Sequence, residues 1–431
     1  MNIDRRFQLT ARGTNLRTEA LAGLTTFVAM LYIIVVNPTM LSQAGIDFGG
    51  AYQATILASV TGMLIMGLAA NYPVAVAPGI GINAFFVFQV IIAQGVPWQE
   101  ALGAACLASG IFLLVSVTSI RRLLIEAIPE SLKLAITAGI GLFIAMIGLL
   151  NGKLVVGSPT TVVMLGDLSE PTAYLTLIGL LVTMVLMVNR IQGAVFLGML
   201  VTTGIALLQG FLVLPEAPFM LPEGLDRTFG QMSFAHIDQM GMVIFVLLMV
   251  ILFDTTGTLI GIGRQAGIIR KGHFPHLQNA LLADAVASFF GALCGTGPTS
   301  SFAESGAGVA VGGRTGLANV VTAGLFLLML FCEPSVKALS AMPSITAPAL
   351  ILVGCLLMEG VRDIDWSDKL EALPAFLTIL LMPLSYSITT GVGAGIIVYT
   401  LLQLFSGHGH SVHPILYVFF VLFIVQFVFL E

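Results

Sequence analysis

The sequence predicts an all-α polytopic membrane protein of about fourteen transmembrane segments in two inverted halves, with short extended stretches in the third and tenth. Three observations carry that prediction. The 431 residues are 57% hydrophobic and only 9% charged, against roughly 25% charged residues in soluble domains. Apolar runs of about 20 residues, the length that crosses a bilayer, follow one another along nearly the whole chain. Two of those runs hold a carboxylate at depth, Asp254 and Glu304, where a charge costs at least ~2.5 kcal/mol.

In order, the spans fall at 19–37, 52–70, 74–95, 100–119, 132–150, 172–189, 192–214, 239–262, 279–295, 298–312, 315–333, 345–359, 372–404 and 413–430. The segment 1–18 is polar and basic, and the run after it is too long for a cleavable signal; a cytoplasmic N-terminus and an uncleaved first span are expected. The element 372–404 is too long for one straight crossing and contains Pro383 and Gly391, so it is expected to be broken or hairpin-like. Counted as one crossing, it leaves both termini inside. All 17 lysines and arginines except Lys153, Arg227 and Lys337 then fall on the inner side, as the positive-inside rule requires. The four cysteines lie in or beside apolar runs without metal-ligand spacing and read as small hydrophobes. The histidine cluster His408, His410 and His413 reads as a solvated loop, and no metal or cofactor is expected.

Seven is odd, so a second half of seven spans enters the membrane from the opposite side. The third span of each half is the unusual one. Pro73-Val-Ala-Val-Ala-Pro78-Gly-Ile-Gly-Ile-Asn83 matches Gly297-Pro-Thr-Ser-Ser-Phe-Ala-Glu304 in position, and each turns from extended to helix-compatible sequence halfway through. Paired interrupted spans mark a solute site at the bilayer midplane. Half-helices beginning near Gly79 and Glu304 would aim free N–H groups at the membrane centre, and the extended stretches would leave backbone groups open to a planar ligand.

Phe253-Asp-Thr-Thr-Gly-Thr-Leu259, Phe302-Ala-Glu-Ser-Gly-Ala-Gly308, Gly312-Gly-Arg-Thr-Gly-Leu317, Ala77-Pro-Gly-Ile-Gly-Ile-Asn-Ala-Phe-Phe86 and Gly23-Leu-Thr-Thr-Phe27 together resemble the AzgA-like purine permeases. These are the adenine, guanine and hypoxanthine branch of the nucleobase–cation symporters. The resemblance runs over essentially the whole chain. It implies a core domain (19–119 and 239–333), a gate domain (120–238 and 334–431), and uptake of a purine base with protons across the cell membrane. Carried over by position, Asp254, Glu304 and Asn83 match the family's polar residues of spans 8, 10 and 3. Position 258 is Thr where the wider uracil and xanthine permease group often has His, which leaves a His-based proton relay without its residue.

Asp254 and Glu304 are the candidates both for accepting base N–H groups and for carrying the proton, because burial disfavours two uncompensated charges. Asn83 can donate and accept at once. Phe302 or Phe86 can stack on a base, and Thr258, Thr26 and Thr25 can line the cavity. Asp284 is expected near the inner end of span 9, paired with a loop cation. The 47 glycines are expected to let core slide past gate. The partners expected are a purine base, protons and the lipid bilayer, with no nucleic acid and with a homodimer left open. Three alternatives stand beside this: a permease for xanthine or uracil, an inorganic-anion carrier of the same fold, and an intramembrane enzyme. The anion carrier lacks an intramembrane cation here, and the enzyme lacks a nucleophile–base or metal constellation.

Overall fold

The computed structural model describes residues 3–118, 127–268 and 275–430. Arg121, Arg122, Arg270 and Lys271, counted above among the inner cations, and His273 lie outside the described residues. Ten helices are long and apolar enough to cross a membrane among the described residues, with shorter apolar helices over Ile80–Ala93, Ala194–Leu208 and Pro414–Val428.

The chain opens with a short helix α1 (Ile3–Phe7) and then α2 (Leu16–Met30), capped by Asn15 accepting from the Thr18 amide. The first span breaks at Leu31 and Tyr32 and resumes as α3 (Ile33–Gln43). There follow α4 (Phe48–Ile65), β1 (Val76–Pro78), α5 (Ile80–Ala84, continued as π-helix to Ala93) and α6 (Trp98–Val117). Next come α7 (Glu130–Asn151), the hairpin β2 (Val155–Ser158) and β3 (Val162–Leu165), α8 (Pro171–Val188) and α9 (Ala194–Leu208). The second half holds α10 (Gly241–Gln265), α11 (Leu277–Cys294), β4 (Thr299–Ser301), α12 (Ser305–Ala310), α13 (Leu317–Met329), α14 (Glu333–Ser340) and α15 (Pro343–Leu357). It closes with α16 (Lys369–Ser385), α17 (Ile388–Phe405) and α18 (Pro414–Val425).

Packing sorts these helices into two bodies, a core and a gate. In the core α4 packs on α11, α6 on α11 and α13 on α4; in the gate α7 packs on α15, α8 on α9 and α16 on α17. The gate contacts repeat with inverted partners. Helix α8 meets α15 as α16 meets α7, and α9 meets α15 as α17 meets α7. The pair α16–α17 therefore answers the pair α8–α9. This revises the count: the element predicted over 372–404 is two helices, and α18 stands outside the repeat. The break falls at Tyr386, held at φ 54°, and Ser387, whose side chain caps α17 at the Thr390 amide.

The interrupted spans meet as expected, with one difference. Strands β1 and β4 pair antiparallel in the register Val76↔Ser301, Ala77↔Ser300, Pro78↔Thr299. The Phe302 amide donates to Ala75 O at 2.9 Å and the Gly79 amide to Pro298 O at 3.2 Å, extending the ladder at both ends. The two stretches thus satisfy one another, and the backbone predicted to be open to a ligand is largely paired. Unpaired groups at that depth are too costly to leave standing.

The N-terminal segment and a loop within 120–238 are fastened to the core. Arg12 donates to Asn71 O at 2.7 Å and Arg314 O at 3.1 Å. On the other face, Thr228 Oγ1 donates to Cys294 O at 2.7 Å, the Gly230 amide to Leu293 O at 2.8 Å and the Ser233 amide to Gln99 O at 2.8 Å. Some glycines tighten contacts inside one body, since a Cβ on Gly141 would lie 2.6 Å from Gly354 O and one on Gly67 2.6 Å from Gly316 O. Others pack between core and gate, where a Cβ on Gly81 would lie 2.8 Å from Ile140 Cγ2.

Candidate functional site

A cavity of about 320 Å³ opens where the β1–β4 ladder faces the gate, at the low end of the usual range for small-molecule sites. Its core wall is built from the ends of the interrupted spans and the middle of α10. The first turn of α5 contributes Gly79, Ile80, Gly81 and Ile82, whose amides have no intrahelical partner by helix geometry. The stretch leading out of β4 contributes Ser300, Ser301, Phe302, Ala303 and Glu304. Val250, Asp254 and Thr258 recur every four residues, so α10 presents all three on one face. The gate wall is apolar, with Ile136, Ile140, Val353, Leu356 and Leu357, and only Thr137 and Glu359 are polar there. Among the described residues lining the cavity there is no lysine or arginine.

The carboxylates stand on different elements. Asp254 is hydrogen-bonded by the Ser300 side chain of β4. Glu304 ends the extended stretch and precedes α12, and Tyr32 Oη donates to its Oε1 at 2.5 Å. Each acid therefore has one hydroxyl donor from the core and further acceptor capacity, since an ionised carboxylate offers about four lone-pair sites. With a mostly apolar wall opposite and no cation among the described lining residues, they suit a flat solute that brings N–H donors on its edges.

Four of the six predicted site residues meet in this cavity: Asp254, Glu304, Phe302 and Thr258. Two do not. Asn83 is fully buried and donates to Gly79 O at 2.8 Å and Pro298 O at 3.0 Å, so it ties the start of α5 to the lead-in of β4. Thr26 is buried against the backbone of Gly308 in α12. Phe86 is likewise wholly inside the core, and Thr25 spends its hydroxyl on Leu21 O at 2.8 Å.

Asp284 is held inside the core by its neighbours. It is fully buried in α11, and no ion pair joins it to a cation among the described residues; the loop cations Arg270 and Lys271 lie outside them. Its carboxylate accepts from Thr255 Oγ1, from Thr299 Oγ1 at 2.8 Å and from the Ser301 backbone. One turn on, Ser288 accepts from the Thr299 amide at 2.9 Å. The two residues anchor β4 from behind, while Ser300 turns the other way towards Asp254, as strand alternation dictates. Tyr32 and Ser300 are neighbours of the two acids that the sequence did not single out. Ser300 lies inside the quoted motif, whereas nothing around Tyr32, in an apolar run, marks its hydroxyl as special.

Residues 17–393 match the sequence model of a family described as Permease family (Xan_ur_permease). The guanine/hypoxanthine permease PbuO of Bacillus subtilis is 45% identical over 97% of this chain and 99% of its own length. The adenine permease AdeP of Escherichia coli is 38% identical over 100% of this chain and 96% of its own length. Among solved structures, the transmembrane domain of the cyanobacterial bicarbonate transporter BicA superposes with a TM-score of 0.65 at 16% identity, covering 88% of this chain and 97% of that one. SLC26A9 superposes with a TM-score of 0.63 at 13% identity, covering 91% of this chain and 66% of that one. At those identities the two structures speak to the fold alone.

Proposed function

The chain belongs to the permease family that its residues 17–393 match, and on that premise we propose that it imports purine nucleobases, guanine, hypoxanthine or adenine, by proton symport. It is a multi-pass membrane protein and a transporter, and its placement in the cell membrane with a cytoplasmic N-terminus belongs to the proposal. The observation that carries the reading is the pair of carboxylates, Asp254 and Glu304, on the core wall of one small cavity whose other wall is apolar but for Thr137 and Glu359. A neutral purine offers ring and exocyclic N–H donors to two acceptors and a flat face to Phe302 and the isoleucines of the gate. An inorganic anion, the cargo of a second reading of this fold, would meet three acids, Asp254, Glu304 and Glu359, and no cation among the described lining residues. Names of full-length relatives that specify guanine, hypoxanthine and adenine support the same class.

The mechanism follows from this placement. A proton and a base enter between core and gate. Asp254 and Glu304 accept N–H groups, Phe302 covers the ring, and Thr258 faces the remaining edge. Neutralising one buried acid lowers the cost of carrying the loaded site past the apolar gate wall. Release of the proton restores the charge and frees the base. The moving body is the core, 19–119 with 239–333, carrying the outer loop around Thr228 that is fastened to it. The gate comprises the rest of 120–238 and 334–431. Asn83 and Thr26 act from behind the site as braces.

The test is uptake of labelled hypoxanthine, guanine, adenine, xanthine and uracil into cells lacking their own permeases, with and without a protonophore. The expected outcome is purine uptake that the protonophore abolishes. Uptake of none of the five by protein present in the membrane overturns the assignment and favours the anion reading.

A further inference from the structure

We infer that Tyr32 is a positioning residue of this site: it holds the Glu304 carboxylate in its ligand-accepting orientation before the base arrives. The inference rests on the purine reading above and extends it to a residue outside both binding motifs.

Tyr32 sits where the first span breaks, between the end of α2 at Met30 and the start of α3 at Ile33. It is 2% exposed and lines the cavity. Its hydroxyl donates to Glu304 Oε1 at 2.5 Å across 272 residues of chain. Glu304 needs such a partner. Its backbone lies between β4 and the six-residue α12, its side chain makes no cap bond to that helix, and its neighbour Ala303 is exposed to the cavity. A glutamate has several rotatable bonds, and a carboxylate that must be ordered on binding costs affinity that a preordered one does not. Asp254, the other acid, is shorter, stands on the rigid α10 and is bonded by Ser300 of the ladder. Besides a bond from its own backbone amide, Glu304 has the Tyr32 hydroxyl as its donor from another element. Tyr32 reaches Glu304 from the join of α2 and α3.

The experiment measures hypoxanthine binding by calorimetry to purified full-length protein in detergent, and KM against maximal rate in proteoliposomes, for wild type, Tyr32→Phe and Tyr32→His. Tyr32→Phe keeps the ring and removes the donor. It is expected to weaken binding and raise KM about tenfold, the scale of one charge-assisted hydrogen bond, with the maximal rate within about threefold. Tyr32→His restores a donor and is expected to recover part of the loss. A Tyr32→Phe protein that binds within about twofold of wild type, or a Tyr32→His protein no better than Tyr32→Phe, overturns the inference. Should Tyr32→Phe fail to elute as a folded protein, Tyr32→Met answers the same question. Wild-type protein that binds no purine overturns the purine reading and this inference with it; wild-type binding with an indifferent Tyr32→Phe overturns the inference alone.

Discussion

The two interrupted spans are alike in backbone and unlike in chemistry. Each runs from a short strand into a helix, and the strands pair residue for residue at the centre of the core. In the first half the polar residue after the strand is Asn83, turned inward to bond Gly79 O and Pro298 O. In the second half it is Glu304, turned into the cavity and bonded by Tyr32. In the proposed site, Asn83 of the first half braces the floor and Glu304 of the second half faces the ligand. Inverted symmetry thus fixes where a site lies without fixing which half serves it, and a motif residue matched by position alone can be a brace.

If that division holds, substitutions at cavity-facing residues and at bracing residues separate into transport defects and stability defects. The largest transport effect is expected from Glu304→Gln or Asp254→Asn, which should lower uptake at least about a hundredfold while leaving the melting temperature within a few degrees of wild type; loss of transport here costs one acceptor of a buried, charge-assisted pair. Next is Gly297→Ala. Its new Cβ would collide with Asn83 Oδ1, so the protein should lose on the order of 3 kcal/mol of stability, read as a lower melting temperature and poor membrane yield. Asn83→Ala removes two hydrogen bonds inside the core and should cost about 2 kcal/mol, with hypoxanthine affinity of the surviving protein close to wild type. A large affinity loss in Asn83→Ala without a stability loss would return that residue to the ligand. The smallest effect is expected from Phe302→Leu, which keeps an apolar wall and removes a stacking face worth about 1 kcal/mol; KM should rise about fivefold at unchanged protein level.

Much of this was legible in the sequence because the bilayer leaves few solutions. Runs such as Met240–Ile262 can only be membrane helices, and a Gly-, Ser- and Pro-rich stretch at that depth must find partners, which located both strands and the half-helix starts at Gly79 and Glu304. Cost at depth likewise marked Asp254 and Glu304. What escaped was tertiary. Asp284 was visible as a carboxylate but not its bonds to Thr255 and Thr299, which come from other elements. Tyr32 looked like any aromatic in an apolar run, and no Pro or Gly announces the break beside it. The glycines were legible as a surplus, yet only packing shows that pairs such as Gly141 and Gly354 tighten one body. The division of 372–404 hinged on Tyr386 and Ser387, whereas Pro383 and Gly391, the residues that drew attention, sit within helices.

The most direct test of the site is an experimental structure of the protein with hypoxanthine bound. The account predicts the base in the cavity beneath the β1–β4 ladder, with N–H groups within about 3 Å of carboxylate oxygens of Asp254 and Glu304, Phe302 against its face, and Asn83 still bonded to Pro298 O. A base bound elsewhere, or bound here without contact to either acid, would contradict it.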